Sequence, residues 1–234
     1  MKDGKVAIVT AAGKGMGAAI ARTLAAQDYH IALLSNSGGA ESVAKELGGI
    51  GFTGSVTNVD DLHKVVAKTQ DVYGRIDAVV NNTGHPPKGP LLDIPDEGWH
   101  QGLEMLLLNV VRMARLVTPI MKMQGGGSIV NISTFAAFEP ELGFPVSSSL
   151  RAALGSFTKL YSDLYAEDSI RMNNVLPGFV DSYPANHENL ERIPMGRYAS
   201  VDEIATAVLF LISDSSSYIT GQNLRVDGGI TRSV

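Results

Sequence analysis

Short apolar runs rich in valine and isoleucine recur along the chain as KVAIVT at 5–10, HIALLS at 30–35, IDAVVNN at 76–82 and GSIVNIS at 127–133. Their near-continuous hydrophobicity predicts strands buried on both faces. Between and after them, apolar positions recur at helical spacing over 16–27, 40–47, 60–73, a long stretch at about 96–123, 150–166 and 201–213. Strands alternating with helices predict an α/β chain whose doubly wound parallel sheet is flanked by helices. RMNNVLP at 171–177 and NLRVDG at 223–228 add two late strands, and counting IGFTG at 50–54 gives a sheet of about seven. No internal repeat, linker or charge block divides the chain, so residues 1–234 are expected to form one domain. In such a sheet the ligand lies beyond the carboxyl ends of the strands, which directs attention to the segments after residues 10, 35, 54, 82, 133 and 177.

Composition narrows the chemistry. Hydrophobic residues at 44% and charged residues at 18% suit a globular protein with a sizeable core, and a formal charge of -5 argues against nucleic acid or an anionic membrane surface as the main partner. There is no cysteine, hence no disulfide frame, thiol nucleophile or thiolate zinc site, and His30, His63, His85, His100 and His187 lack metal-ligand spacing. A catalytic metal is not expected. The longest apolar run, AVLFLI at 207–212, is too short to span a bilayer, and the amino terminus MKDGKVAIVT has no long apolar segment behind its charges. A cytoplasmic protein without a membrane partner is the expectation.

Directly after the first strand comes TAAGKGMG at 10–17, where Thr10 leads into Gly13, Lys14, Gly15, Met16 and Gly17 ahead of a helix. Glycines let the backbone approach a phosphate, and the helix amides and dipole favour its charge. The same glycines also serve a tight strand-to-helix turn for steric reasons alone. The position after an amino-terminal strand favours a Rossmann-type dinucleotide site. A nicotinamide cofactor without a 2′-phosphate is often held by an acid near the end of the second strand, yet LLSNSGG at 33–39 has none. Lys14 with Ser35, Asn36 and Ser37 can instead meet a 2′-phosphate, so NADP(H) is expected over NAD(H).

With these motifs in order, the chain resembles the short-chain dehydrogenase/reductase family along nearly its whole length. TAAGKGMG is similar to the family's T-G-x-x-x-G-x-G loop, with Ala11 at its first glycine. NNTG at 81–84, containing Asn82, Thr83 and Gly84, is similar to N-N-A-G, and PGFVDS at 177–182, containing Pro177, Gly178, Val180 and Ser182, to its P-G-x-x-x-T cofactor loop. Ser55, followed by Val56, stands where the family usually has an aspartate contacting adenine, and SSSYITGQNLRVDGG at 215–229 also looks familial. The resemblance implies that Asn109 is the asparagine of a proton relay. Alignment on GSIVNIST puts Thr134 at the substrate-orienting serine, Ser147 at the proton-transferring tyrosine and Arg151 at the lysine that holds the nicotinamide ribose.

The stretch PVSSSLRAALGSFTK at 145–159 therefore has two readings, serines capping a helix or a Y-x-x-x-K helix with both letters changed. A spacing of four places Ser147 and Arg151 on one helical face. Serine is far less acidic than a phenol of pKa about 10, and arginine cannot titrate in a relay. His85, Glu139, Glu141, Tyr183 and His187 are weaker candidates for a replacement donor, and Phe135, Phe138 and Phe144 line either a substrate pocket or the core. An oxidoreductase acting on a small carbonyl or alcohol with an altered proton donor accounts for the retained motifs. A catalytically inactive NADP(H)-binding sensor or structural protein accounts most economically for Ser147, and a non-redox, dehalogenase-like role ranks last because the glycine loop is kept. The resemblance also implies a homo-oligomer, commonly a tetramer, otherwise a dimer, through the long helices and the last strand.

Overall fold

The computed structural model, which describes residues 4–233, turns the apolar runs into seven strands: β1 (Val6–Thr10), β2 (His30–Ser35), β3 (Ile50–Thr53), β4 (Ala78–Asn81), β5 (Gly127–Ile132), β6 (Ile170–Pro177) and β7 (Asn223–Val226). All pairs are parallel, in the order β3-β2-β1-β4-β5-β6-β7. The chain winds outward from β1 to β3, returns to β4 beside β1, and continues the other way, so the reversal lies between β1 and β4. Alternate strand residues feed two cores. Val9, Leu33 and Ile132 pack with α1 (Gly15–Ala25), α2 (Gly39–Glu46) and α8 (Val201–Ile212). Ile8, Leu34 and Ile129 pack on the other face with α3 (Val59–Tyr73), α5 (Asn109–Met123) and α6 (Pro145–Tyr165). Single-domain α/β architecture with a seven-stranded parallel sheet is thus as expected.

Helix ends follow local chemistry. Asn58 caps α3 by accepting from the Asp60 and Asp61 amides at 2.8 and 3.2 Å, and Gly74 closes it at φ +75°. Ser200 and Glu203 form a capping box at α8.

Three expectations change. The stretch at 96–123 is not one regular helix: α4 (Asp96–Leu103) passes through a π turn at Glu104–Leu108 into α5. The Asn109 side-chain amide donates to Met105 O, a carbonyl that a regular ladder would use itself. Next, α6 begins at Pro145, five residues earlier than expected, and no serine caps it: the cap position is Phe144, with no side-chain cap bond. Ser148 accepts from the Glu141 amide, Ser149 bonds back to Pro145 O at 2.9 Å, and Ser147 lines a cleft. Proline at the first helical position needs no N–H and has a preset φ, which lets the helix start before the serines. Finally, a short helix unforeseen in the sequence, α7 (His187–Arg192), is capped by Asn186 through the Asn189 amide at 2.8 Å.

Candidate active site

A cleft of about 1020 Å³ opens along the carboxyl ends of the strands, and every segment expected to border a ligand contributes to it. At one end the glycine loop turns from β1 into α1. Ala11 sits at φ +47° and Gly15 at +54°. A Cβ on Gly17 would lie 2.3 Å from Ala11 O, and one on Gly13 would lie 3.0 Å from Ser35 Oγ, so loop, helix and β2 close on one another only because these positions are bare. Lys14 occupies the cap position of α1 and is exposed; no side chain caps this helix and its first turn carries no acid. The first-turn amides and the lysine therefore present positive charge to the cleft.

Not every residue assigned to the loop faces a ligand. Thr10 is buried, donating to Asn82 O at 2.7 Å and accepting from the Asn82 amide at 2.9 Å, which pins the ends of β1 and β4 together. Gly17 is buried beneath Ala11. Ser35 lines the cleft, but its hydroxyl donates to Ser37 O at 2.6 Å and accepts from the Ala40 amide at 3.0 Å, so its proton is already committed. Asn36 and Ser37 line the same rim. Ser55, Val56, Asn82, Thr83 and Gly84 form further wall, opposite Pro177, Gly178, Val180 and Ser182 from the segment after β6. The Ser55 hydroxyl pairs with Thr57 at 2.8 Å, while its amide donates to Asp61 at 2.9 Å, so an acid reaches this corner from α3.

At the other end stand Thr134, Ser147 and Arg151. Thr134 follows β5 and its hydroxyl accepts weakly from the Ala136 amide at 3.4 Å, which leaves its proton to donate. Ser147 and Arg151 face the same space one turn apart on α6. Arg151 is buried and donates to Ile132 O; burial alone pushes its pKa down to about 10. Asn109 is buried behind the cleft wall, and its Oδ1 finds no partner among the described residues.

The weaker candidates divide cleanly. Glu139 accepts from the Arg232 and Ser233 amides, Glu141 pairs with Arg192, and His187, largely exposed, pairs with Glu191 at 3.4 Å; none lines the cleft. Carboxylates near free amides or a guanidinium are drawn to them, which a linear reading cannot see. Phe138 is half-exposed with the Arg225 guanidinium 5.0 Å from its ring centre, Phe135 is both core and wall, and Phe144 is wall. His85 and Tyr183 do line the cleft, their rings 5.2 Å apart. The His85 imidazole is held below the usual histidine range by partial removal from water and, secondarily, by the Lys88 and Arg151 cations.

Several wall residues went unremarked in the sequence. Lys88 belongs to the loop after β4 and lies 4.8 Å from the centre of the Phe144 ring. Ser133, one residue before Thr134, is buried with an unpartnered hydroxyl. Glu104 from the π turn is bound by Arg112. Tyr198, stacked on Phe179, holds Asn189 of α7 at 3.0 Å. Adjacency to His85 and Thr134 was the available signal for Lys88 and Ser133; nothing local marks Tyr198.

Residues 10–231 match the family described as Enoyl-(Acyl carrier protein) reductase. The chain is 33% identical over 241 residues to 3-oxoacyl-(acyl-carrier-protein) reductase FabG of Thermotoga maritima, covering 97% of this chain and 98% of that protein. It is also 33% identical to Dehydrogenase/reductase SDR family member 4 of Oryctolagus cuniculus, covering 96% and 93% of the two chains. The crystal structure of L-sorbose reductase from Gluconobacter frateurii, complexed with NADPH and L-sorbose, superposes with a TM-score of 0.90 at 28% identity, covering 99% of this chain and 98% of that one.

Proposed function

The chain belongs to the short-chain dehydrogenase/reductase family, and we propose that it is an NADP(H)-dependent oxidoreductase acting on a small carbonyl or alcohol with an altered proton donor. The observation that carries this reading is the juxtaposition, in one cleft, of an uncapped helix start bearing Lys14 with Thr134, Ser147 and Arg151. The cleft fits a dinucleotide: bare glycines bring backbone against backbone at the loop, where a Cβ on Gly17 would collide, and the charge at the α1 start suits phosphate. Lys14, Asn36 and Ser37 are the groups for a 2′-phosphate, with Ser35 shaping the turn beneath them. When bound, the cofactor supplies the hydride.

The remaining work falls to the chain. Thr134 orients the substrate oxygen by donating its hydroxyl proton, and Arg151 donates to the ribose. Ser147 replaces the family's tyrosine and Arg151 its lysine, so the proton comes from water held by Ser147 and Thr134, or from His85, whose lowered pKa makes that route stronger below neutral pH. A positioned general acid contributes roughly 10²–10⁴-fold, and its loss slows reduction without removing hydride transfer from a well-placed cofactor. A second reading, a binding protein without turnover, is favoured by the short Ser147 side chain. Homo-oligomerisation belongs to the same proposal, supported by Leu160 and Leu164, exposed one turn apart on α6.

Fluorescence titration with NADPH, NADH as control, tests the reading directly, with expected preference for NADPH and loss of that preference in Lys14→Ala. Binding of neither sinks the cofactor assignment. Following NADPH absorbance with a carbonyl panel in the same preparation separates the enzyme, which consumes it, from the binding protein, which does not.

A further inference from the structure

We propose that the substrate carries a carboxylate, held at the Ser147 end of the cleft by the Arg151 guanidinium together with Ser133 and, from the rim, Lys88; this rests on the reading of the cleft as a reductase site. Arg151 is 8% exposed, and among the described residues no carboxylate pairs with it; its hydrogen bond there goes to a backbone carbonyl, Ile132 O. A buried charge without a counter-charge is costly, and a ligand anion removes that cost. Ribose hydroxyls would satisfy some of the five guanidinium donors but none of the charge.

Three independent features point the same way. Ser133, a residue of the cleft wall, is 7% exposed, and its buried hydroxyl has no partner among the described residues, one position on from the carbonyl that holds Arg151. The α6 helix starts at this wall uncapped: Pro145 has no N–H, and Ser148 is the first residue whose amide finds a carbonyl, that of Phe144. Its positive end therefore adds to the field at Ser147. Lys88 is placed by its contact with the Phe144 ring, and it lines the same cleft as Arg151 and His85. Against them, Glu104 is the one carboxylate among the described residues lining the cleft, and Arg112 neutralises it. In a chain of net charge -5, a cleft lined by Lys14, Lys88 and Arg151 is locally cationic at both ends. Lys14 answers to phosphate. Arg151, being buried, has no such partner unless the substrate is an anion, and Lys88 adds its charge from the rim.

The matched probes are 3-oxobutanoate and its methyl ester, which differ in charge and share the carbonyl. Calorimetric titration is made on the protein alone and on the NADPH-loaded protein. The expected result is acid binding at least about tenfold tighter than ester, a gap that shrinks with salt as an ion pair requires. Lys88→Gln is expected to narrow the gap severalfold without altering NADPH or ester affinity, and Arg151→Gln to abolish it. Equal affinities, no binding of either probe, or an acid preference that survives Lys88→Gln and Arg151→Gln overturns the inference. Should Arg151→Gln fail to fold, Lys88→Gln and the salt series decide alone. If NADPH does not bind while the acid preference persists, the anion site stands and the cofactor reading falls; if NADPH binds and the acid preference is absent, the reverse holds.

Discussion

Ala11 shows how one atom redistributes energy in this loop. It holds φ +47°, a region that costs an L-residue with a Cβ roughly 1–2 kcal/mol, at the position where the family motif has glycine. Glycine would relieve that strain while giving the unfolded chain more freedom, which offsets about half. Ala11→Gly is therefore expected to stabilise the fold by about 0.5–1 kcal/mol, read as a higher urea midpoint at constant slope. A lower midpoint would mean that the methyl group packs better than its backbone sits. Residue identity was legible here, since Ala11 announces itself as a departure from a glycine motif. Its conformation was not, because φ is set by the bonds on either side: Ala12 N–H to Leu34 O at 3.1 Å and Asn82 pinned to Thr10. Glu139 and Glu141 make the same point in reverse, for their partners lie about ninety and fifty residues away along the chain.

Elements couple through buried polar contacts that periodicity does not register. Asn81 donates to Asn131 at 2.9 Å, Asn131 to Asn174 at 2.9 Å, and Asn174 to Asn223 at 2.8 Å, a chain of side-chain amides across β4, β5, β6 and β7. Between α5 and α6, Tyr161 and Thr118 share a 2.6 Å hydroxyl bond, and Thr118 also donates to Ala114 O. Burial pushes the Tyr161 phenol up to about 12, the bond to Thr118 opposing it. The folded pKa is above the unfolded value of about 10, so the neutral phenol's contribution is complete below pH 10 and is lost as pH rises towards 12. That loss is on the order of 3 kcal/mol. Tyr29 and Tyr73, also raised by burial, steepen the same decline. Tyr161→Phe is expected to lose about 1 kcal/mol at pH 7 with its hydrogen bond, yet to decline less between pH 10 and 12 in urea unfolding. Parallel declines in the two proteins would show that Tyr161 does not carry the transition.

For the whole molecule, the exposed leucines of α6 set an expectation about assembly. Leu160 and Leu164 present a shared apolar face at helical spacing, and in an oligomer built on that face their replacement by charge is disruptive. Sedimentation is expected to give a dimer or tetramer for the parent chain and a monomer for the Leu160→Glu, Leu164→Glu double variant; unchanged sedimentation would exclude α6 as the interface. Among the described residues no helix is long and apolar enough to cross a membrane. The strand runs, their parallel sheet and the glycine loop after β1 were determined by the sequence alone, because burial on both faces and bare backbone leave local signatures. Thr134, Ser147 and Arg151 were singled out by the family resemblance, and the structure lines one cleft with them. Tertiary structure decided which of those groups are already spent and which are not. Ser35 is committed to its own turn, Thr10 to Asn82 at the end of the neighbouring strand, and Arg151 is a buried cation without a counter-charge among the described residues, because partnership depends on distances between segments that chain order leaves open.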